Sequence, residues 1–133
     1  MDYSNIFKVW GRRERILLTD TSEIDLLYIK RDCFCSLHCH RRKINRFNVI
    51  SGEVRIESEY GSVTLKAGQS FEVRPILKHR FFAVEDSVMI ESAYVENGVI
   101  DADDIERESQ GGRMIDEKEM TLDEMKEKGL LDL

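Results

Sequence analysis

The segment CSLHCHRRKINRFNVISG, Cys35 to Gly52, decides how this chain is to be read. It sets His38 and His40 one residue apart, follows them with the basic run Arg41, Arg42 and Lys43, and closes on a glycine after an apolar stretch. In an extended strand residues i and i+2 project from one face, so the two imidazoles point together and can share one ion. The opposite parity holds Cys33, Cys35, Leu37 and Cys39, a small apolar set suited to packing rather than ligation. One more histidine exists, His79, in RPILKHRFF after a proline-marked turn. Three imidazoles on neighbouring strands suit a transition metal and leave coordination positions open.

Working outward, residues 14 to 95 read as short strands: RERILLTD, IDLLYIKRD, FCSLHCH, RFNVIS, EVRIESEY, SVTLKAG, SFEVRP, HRFFAV and SVMIESAYV. Turn residues punctuate them at SGE, YGS, AGQ, RP and EDS, a cadence that indicates an all-β sandwich or small barrel. In EVRIESEY, Val54 and Ile56 share one side while Arg55, Glu57 and Glu59 take the other, as in a half-buried strand. Beyond Asn97 the composition turns acidic and irregular, which reads as an appendage packed on the barrel or on a partner, without obvious chemistry of its own. TLDEMKEKGLL then gives a short terminal helix, with Thr121 and Glu124 forming a capping box and Gly129 ending it.

At 133 residues the expected organisation is one domain, 1–133, with a barrel core at about 10–96 and the tail and helix at 97–133. The formal charge of −6 offers no general attraction to nucleic acid or an anionic membrane, so neither is an expected partner. No apolar run reaches the roughly 20 residues of a membrane-spanning helix, and the N-terminal stretch lacks the apolar centre of a signal peptide. Three cysteines crowded into seven positions make poor disulfide partners. A cytoplasmic setting is the expectation.

The spacing HxH, Asn45, Gly52, followed by Gly68, Pro75 and His79, resembles the two motifs of the cupins, with Asn45 where the first motif has Glu. Trp10-Gly11, CSLHCH, VISGEVRIE, RPILKHR and the later Gly98, Asp103, Asp104, Ile105 and Arg107 narrow the likeness to the type II mannose-6-phosphate isomerase cupins, over roughly residues 10 to 113. That resemblance implies a double-stranded β-helix, or jelly-roll barrel, binding a divalent metal through His38, His40, His79 and Asn45. His38 stands where the family has Gln. An Asn carbonyl can ligate but brings no charge, which disfavours hard cations such as magnesium and leaves zinc first, then iron, nickel or manganese.

The resemblance implies a phosphorylated or nucleotide-linked sugar as the ligand and aldose–ketose isomerisation as the reaction. Such chemistry needs a base to move a proton between adjacent carbons. Glu91 is the candidate base, with Glu72 a second strand carboxylate and Lys43 a further catalytic candidate. Arg42 and Arg80 are the candidates for holding the phosphate. Lys43 stands where the family has Arg, and Arg46 where it has a titratable His. Two other classes remain open: a three-histidine metal-dependent dioxygenase, and a non-enzymatic ligand-binding cupin. A homodimer is expected, since short edge strands of small barrels are commonly covered by a second subunit, with Phe7 and Trp10 as anchors.

Overall fold

The chain is described by a computed structural model over residues 5–131. In chain order its elements are β1 (Asn5–Lys8), β2 (Gly11–Leu18), β3 (Ser22–Ile29), β4 (Cys33–Phe34), β5 (His38–Cys39), β6 (Ile44–Ser51), β7 (Glu53–Ser58), β8 (Gly61–Lys66), β9 (Ser70–Val73), β10 (His79–Ala83), β11 (Ser87–Tyr94), β12 (Glu106–Arg107), β13 (Gly112–Ile115), β14 (Lys118–Thr121) and α1 (Leu122–Glu127). All pairings are antiparallel. One sheet runs β1-β2-β3-β11-β6-β9. In the other, β10 pairs with β7 along one edge and with β4 and β5 along the other, and β8, β12, β13 and β14 extend it outward.

Alternation explains why these sheets face one another. In β6, Asn45, Phe47 and Val49 are buried while Arg46 is exposed. In β3, Asp25, Leu27 and Ile29 point inward. The opposing sheet contributes Val54 and Ile56 from β7, Leu65 from β8, and Phe81 and Ala83 from β10 to the same core. A fully buried apolar side chain of this size is worth about 1.5–3 kcal/mol, so the filled interior fixes which face of each strand turns inward. Trp10 belongs to this core: its ring meets Phe81 edge-on, with centroids 5.0 Å apart. The tryptophan expected at a subunit contact is therefore an internal packing residue, and only Phe7, 81% exposed, remains on the surface.

The Trp10-Gly11 pair has a steric cause. A Cβ on Gly11 would lie 1.9 Å from the carbonyl oxygen of Tyr28, and φ there is +147°. Only glycine lets the β1–β2 hairpin turn directly over β3.

Two expectations are corrected. FCSLHCH is not one continuous strand: it breaks at residues 35–37 into β4 and β5, both beside β10. The simple parity argument therefore fails for Cys35, whose sulfur accepts the N–H of Phe81 at 3.2 Å and which lines the same cavity as His38 and His40. The acidic tail is more than an appendage. Packed on the barrel as expected, it is also part of it beyond the expected core of about 10–96: Arg107 pairs with His38, and Gly112 and Arg113 pair with Phe34 and Cys33, so the tail completes one edge.

The terminal helix forms as expected. Thr121 and Glu124 make the reciprocal capping box. Gly129, at φ +66°, closes a Schellman arrangement in which the N–H of Leu130 reaches the Met125 carbonyl. Among the described residues no helix is long and apolar enough to cross a membrane.

Candidate metal centre

His38 on β5 and His79 on β10 are directly opposite in register, and directly opposed residues share a sheet face. His40 follows just beyond β5. The ring centroids of His38 lie 4.7 Å from His79 and 5.0 Å from His40, and one ligand nitrogen from each of the three rings falls within 4.8 Å of the others.

Backbone carbonyls hold all three rings. The Nδ1 of His38 donates to Ser36 O at 2.8 Å, that of His40 to Asp104 O at 2.6 Å, and that of His79 to Leu77 O at 2.9 Å. A proton fixed on Nδ1 leaves each Nε2 with its lone pair free, the tautomer a metal requires. Burial holds His38 down to about 3, reinforced by His79 and His40, and His79 down to about 4. Burial lowers His40 as well, against the opposing pull of the Asp104 carbonyl. The cluster is therefore neutral near pH 7 and ready to ligate without first losing protons.

Among the described residues four buried side-chain polar atoms lack a hydrogen-bond partner, and two of them, His79 Nε2 and Asn45 Oδ1, lie at this cluster. Buried polar groups are seldom left unpaired, and here both belong to the expected ligand set. The other end of the Asn45 amide, Nδ2, lies 3.5 Å from His40 Nε2 and donates to Glu91 Oε2 at 3.0 Å. Three neutral imidazoles and a carbonyl oxygen thus fit a divalent transition metal. The Cys35 thiol, pushed up to about 12 by burial, remains protonated and is no competing thiolate.

Beside this cluster the inner face of the first sheet carries charge. Glu91 on β11 faces Asp25 on β3, which in turn faces Arg15 on β2. Arg15 binds Asp25 at 2.7 Å and Glu23 at 3.1 Å, and Lys43 Nζ reaches Glu23 at 3.2 Å. Glu91 forms no ion pair among the described residues. Burial, then the Asp25 and Glu23 carboxylates, raise it to about 7. Lys43, Asn45 and Glu91 all line a cavity of about 580 Å³ together with His38 and His40.

The other expected site residues lie elsewhere. Arg42 is directed at the Asn97 carbonyl and borders a separate, smaller recess with Arg74 and Pro75. Arg80 follows His79 and so occupies the opposite face of β10, where it is bound by Glu57 and Glu119 and rests over the Phe34 ring. Glu72 pairs with Arg74, and Arg46 turns outward to Ser70. Arg46 therefore replaces nothing inside the cavity.

Several residues with evident roles went unread. Glu23 and Asp25 share parity with Leu27 and Ile29, so acids on an apolar face were the available signal. The Asp104 carboxylate accepts the backbone N–H groups of Arg41, Arg42 and Lys43 at 2.8, 3.0 and 3.1 Å. Burial alone would raise its pKa, but these three donors outweigh that and hold the carboxyl below its ordinary range. Asp104 thereby fixes the main chain just after His40 while its own carbonyl fixes the ring.

No known protein-family model matches the chain, and no curated protein matches it. Solved structures do. KdgF from Halomonas sp. is 22% identical with a TM-score of 0.60, over 65% of this chain and 81% of that one. Ectoine synthase from P. lautus is 18% identical with a TM-score of 0.64, over 80% of this chain and 82% of the other. An uncharacterised Klebsiella pneumoniae protein with a double-stranded β-helix domain is 18% identical with a TM-score of 0.61, over 80% and 86% respectively. The fold is the double-stranded β-helix of the cupins. Within it, this chain carries a three-histidine group fit for a divalent metal.

Proposed function

We propose that this protein is a metal-dependent cupin enzyme that moves a proton between adjacent carbons of a small sugar derivative, an aldose–ketose isomerisation on a phosphorylated or nucleotide-linked sugar. The carrying observation is Glu91, raised to about 7 and tied through Asn45 to the edge of the histidine cluster. A base with a pKa near the working pH combines adequate ionisation with adequate strength. His38, His40 and His79, with Asn45 Oδ1, would hold the metal, which when bound would supply Lewis-acid polarisation of a substrate oxygen. The Asn45 amide fixes one oxygen of Glu91 and leaves the carboxyl to take a proton from one carbon and return it to the next. Lys43, held by Glu23, places a cation on the cavity wall beside the developing negative oxygen.

The test is proton exchange. Zinc-loaded protein incubated with mannose 6-phosphate in deuterated water should place deuterium at the carbon beside the carbonyl, read by NMR, and Glu91→Gln should abolish the signal. Absence of exchange from a protein that does hold metal would remove the isomerase reading.

A second reading rests on one observation: three neutral imidazoles converge with no carboxylate among them, a donor set also suited to an iron-dependent dioxygenase. Oxygen consumption by iron-loaded protein separates the two.

A further inference from the structure

The inner cavity is bordered by four basic residues, Lys8, Arg13, Lys43 and Arg107. Lys43 is neutralised by Glu23. Lys8, Arg13 and Arg107 form no ion pair among the described residues, in a chain with 26 acidic side chains and a formal charge of −6. Most other arginines of the barrel have found a carboxylate, among them Arg15, Arg41, Arg55, Arg74 and Arg80.

Register brings the three cations together from both sheets. Arg107 on β12 is directly opposite His38 on β5, so its side chain leaves the strand on the histidine face. Arg13 on β2 pairs with Ile6 on β1 and with Leu27 on β3, and Leu27 is an inward residue. Lys8 ends β1 two positions beyond Ile6, on the same parity. Arg13 Nε is buried without a hydrogen-bond partner.

Their mutual influence agrees with that placement. Burial and then the Arg13 and Arg107 charges depress Lys8, against the pull of Glu91, and Arg13 opposes the rise of Glu91. The three cations line the same cavity as His38, His40 and Glu91. Like charges held close with no ion pair to offset them destabilise the free protein, and an anionic group among them relieves the conflict.

We infer that Lys8, Arg13 and Arg107 form an oxyanion-binding subsite, for a carboxylate or phosphate carried by the ligand, at the mouth of the histidine cavity. The inference rests on the reading of this cavity as the ligand site, and it moves anion recognition away from Arg42 and Arg80, which face other ways. Arginine and lysine together suit a compact oxyanion: the guanidinium fork takes two oxygens and the ammonium a third.

The test is isothermal titration calorimetry of the full chain at fixed ionic strength, with inorganic phosphate and separately with malonate. Titrations are run on protein as purified and after chelation, so that failure of metal binding leaves the anion measurement intact. Saturable one-to-one binding of at least one anion is expected after chelation, and the tighter of the two identifies the source as phosphoryl or carboxylate. Lys8→Gln and Arg107→Gln should each weaken it about tenfold or more, the scale of a lost charge-assisted hydrogen bond. Arg31→Gln, an exposed control in the turn between β3 and β4, should leave it unchanged. Metal content of the Lys8 and Arg107 variants should equal that of the wild type. If Arg107→Gln melts early, Lys8→Gln decides alone. No saturable heat with either anion, or equal losses in the Arg31 control, overturns the proposal.

Discussion

At the scale of single residues, Asn45 is where this site departs from the motif it resembles. Its Oδ1 is buried and unpartnered while its Nδ2 donates to Glu91 at 3.0 Å. A carboxylate there would supply charge to a bound cation but would also confront Glu91, already raised to about 7. Asn45→Glu should therefore act in opposite directions in the two states. Zinc affinity should rise, measured by competition with a chelating dye, while the chelated protein should melt at a lower temperature than the wild type near pH 7. Unchanged affinity would place Asn45 outside the coordination sphere. His79→Ala is the sharper deletion, because it removes a ligand whose Nε2 has no other partner. It should cost more than the roughly 10–100-fold that loss of an outer-shell partner costs, with elemental analysis showing metal lost from the purified variant.

Among the elements, β12 and the residues before it show what sequence made legible and what it did not. The strands of the barrel announce themselves through alternation, as in EVRIESEY, and the HxH spacing announces a shared ion. Arg80, expected at the phosphate, was misplaced although the signal was there, since a residue adjacent to His79 on a strand must face away from it. The break at residues 35–37 was not legible, because nothing in CSLHC marks a turn. The tail was hidden for a different reason. β12 is two exposed residues long and has no periodicity to detect, and Asp104 holds the His40 ring through a backbone carbonyl, which no side chain advertises. What can be removed is the Asp104 carboxylate, which accepts three successive N–H groups after His40. Asp104→Ala should lower stability by roughly 1–3 kcal/mol, as unpaired donors do, and weaken metal binding about 10–100-fold by loosening His40. Denaturant melts of the chelated chain separate the first effect from the second. A variant that loses stability with metal affinity intact would show that the histidine is held by its ring contact alone.

For the molecule as a whole, surface and interior each carry an expectation. Ile6, Phe7, Ile16, Leu17 and Leu18 are exposed on β1 and β2, and among the described residues β1 stands at the end of its sheet's strand order. A homodimer through this edge remains the expected assembly, and Phe7→Glu should shift it to monomer by sedimentation velocity. The interior sets the pH dependence. His38 and His79 fall from an ordinary 6.5 to about 3 and about 4 in the fold, so between those values and 6.5 the unfolded chain binds protons that the native chain refuses. Their contribution is fully present above pH 6.5 and is lost as pH falls towards 4 and 3. Glu91 runs the other way. Raised from 4.5 to about 7, it favours the fold below pH 4.5 and loses that contribution as pH rises through 7. Between pH 4.5 and 6.5 at least two histidines oppose one carboxyl, so these groups make stability climb with pH. Near pH 7 the histidines of the unfolded chain and the native Glu91 are all part-titrated and nearly cancel, so the curve flattens. The melting temperature of the chelated protein should therefore rise across pH 4.5–6.5 and level off near 7. Glu91→Gln should steepen the rise, whereas a flat wild-type profile would mean that the imidazoles meet solvent freely and that the cluster is not the buried, neutral ligand set its geometry describes.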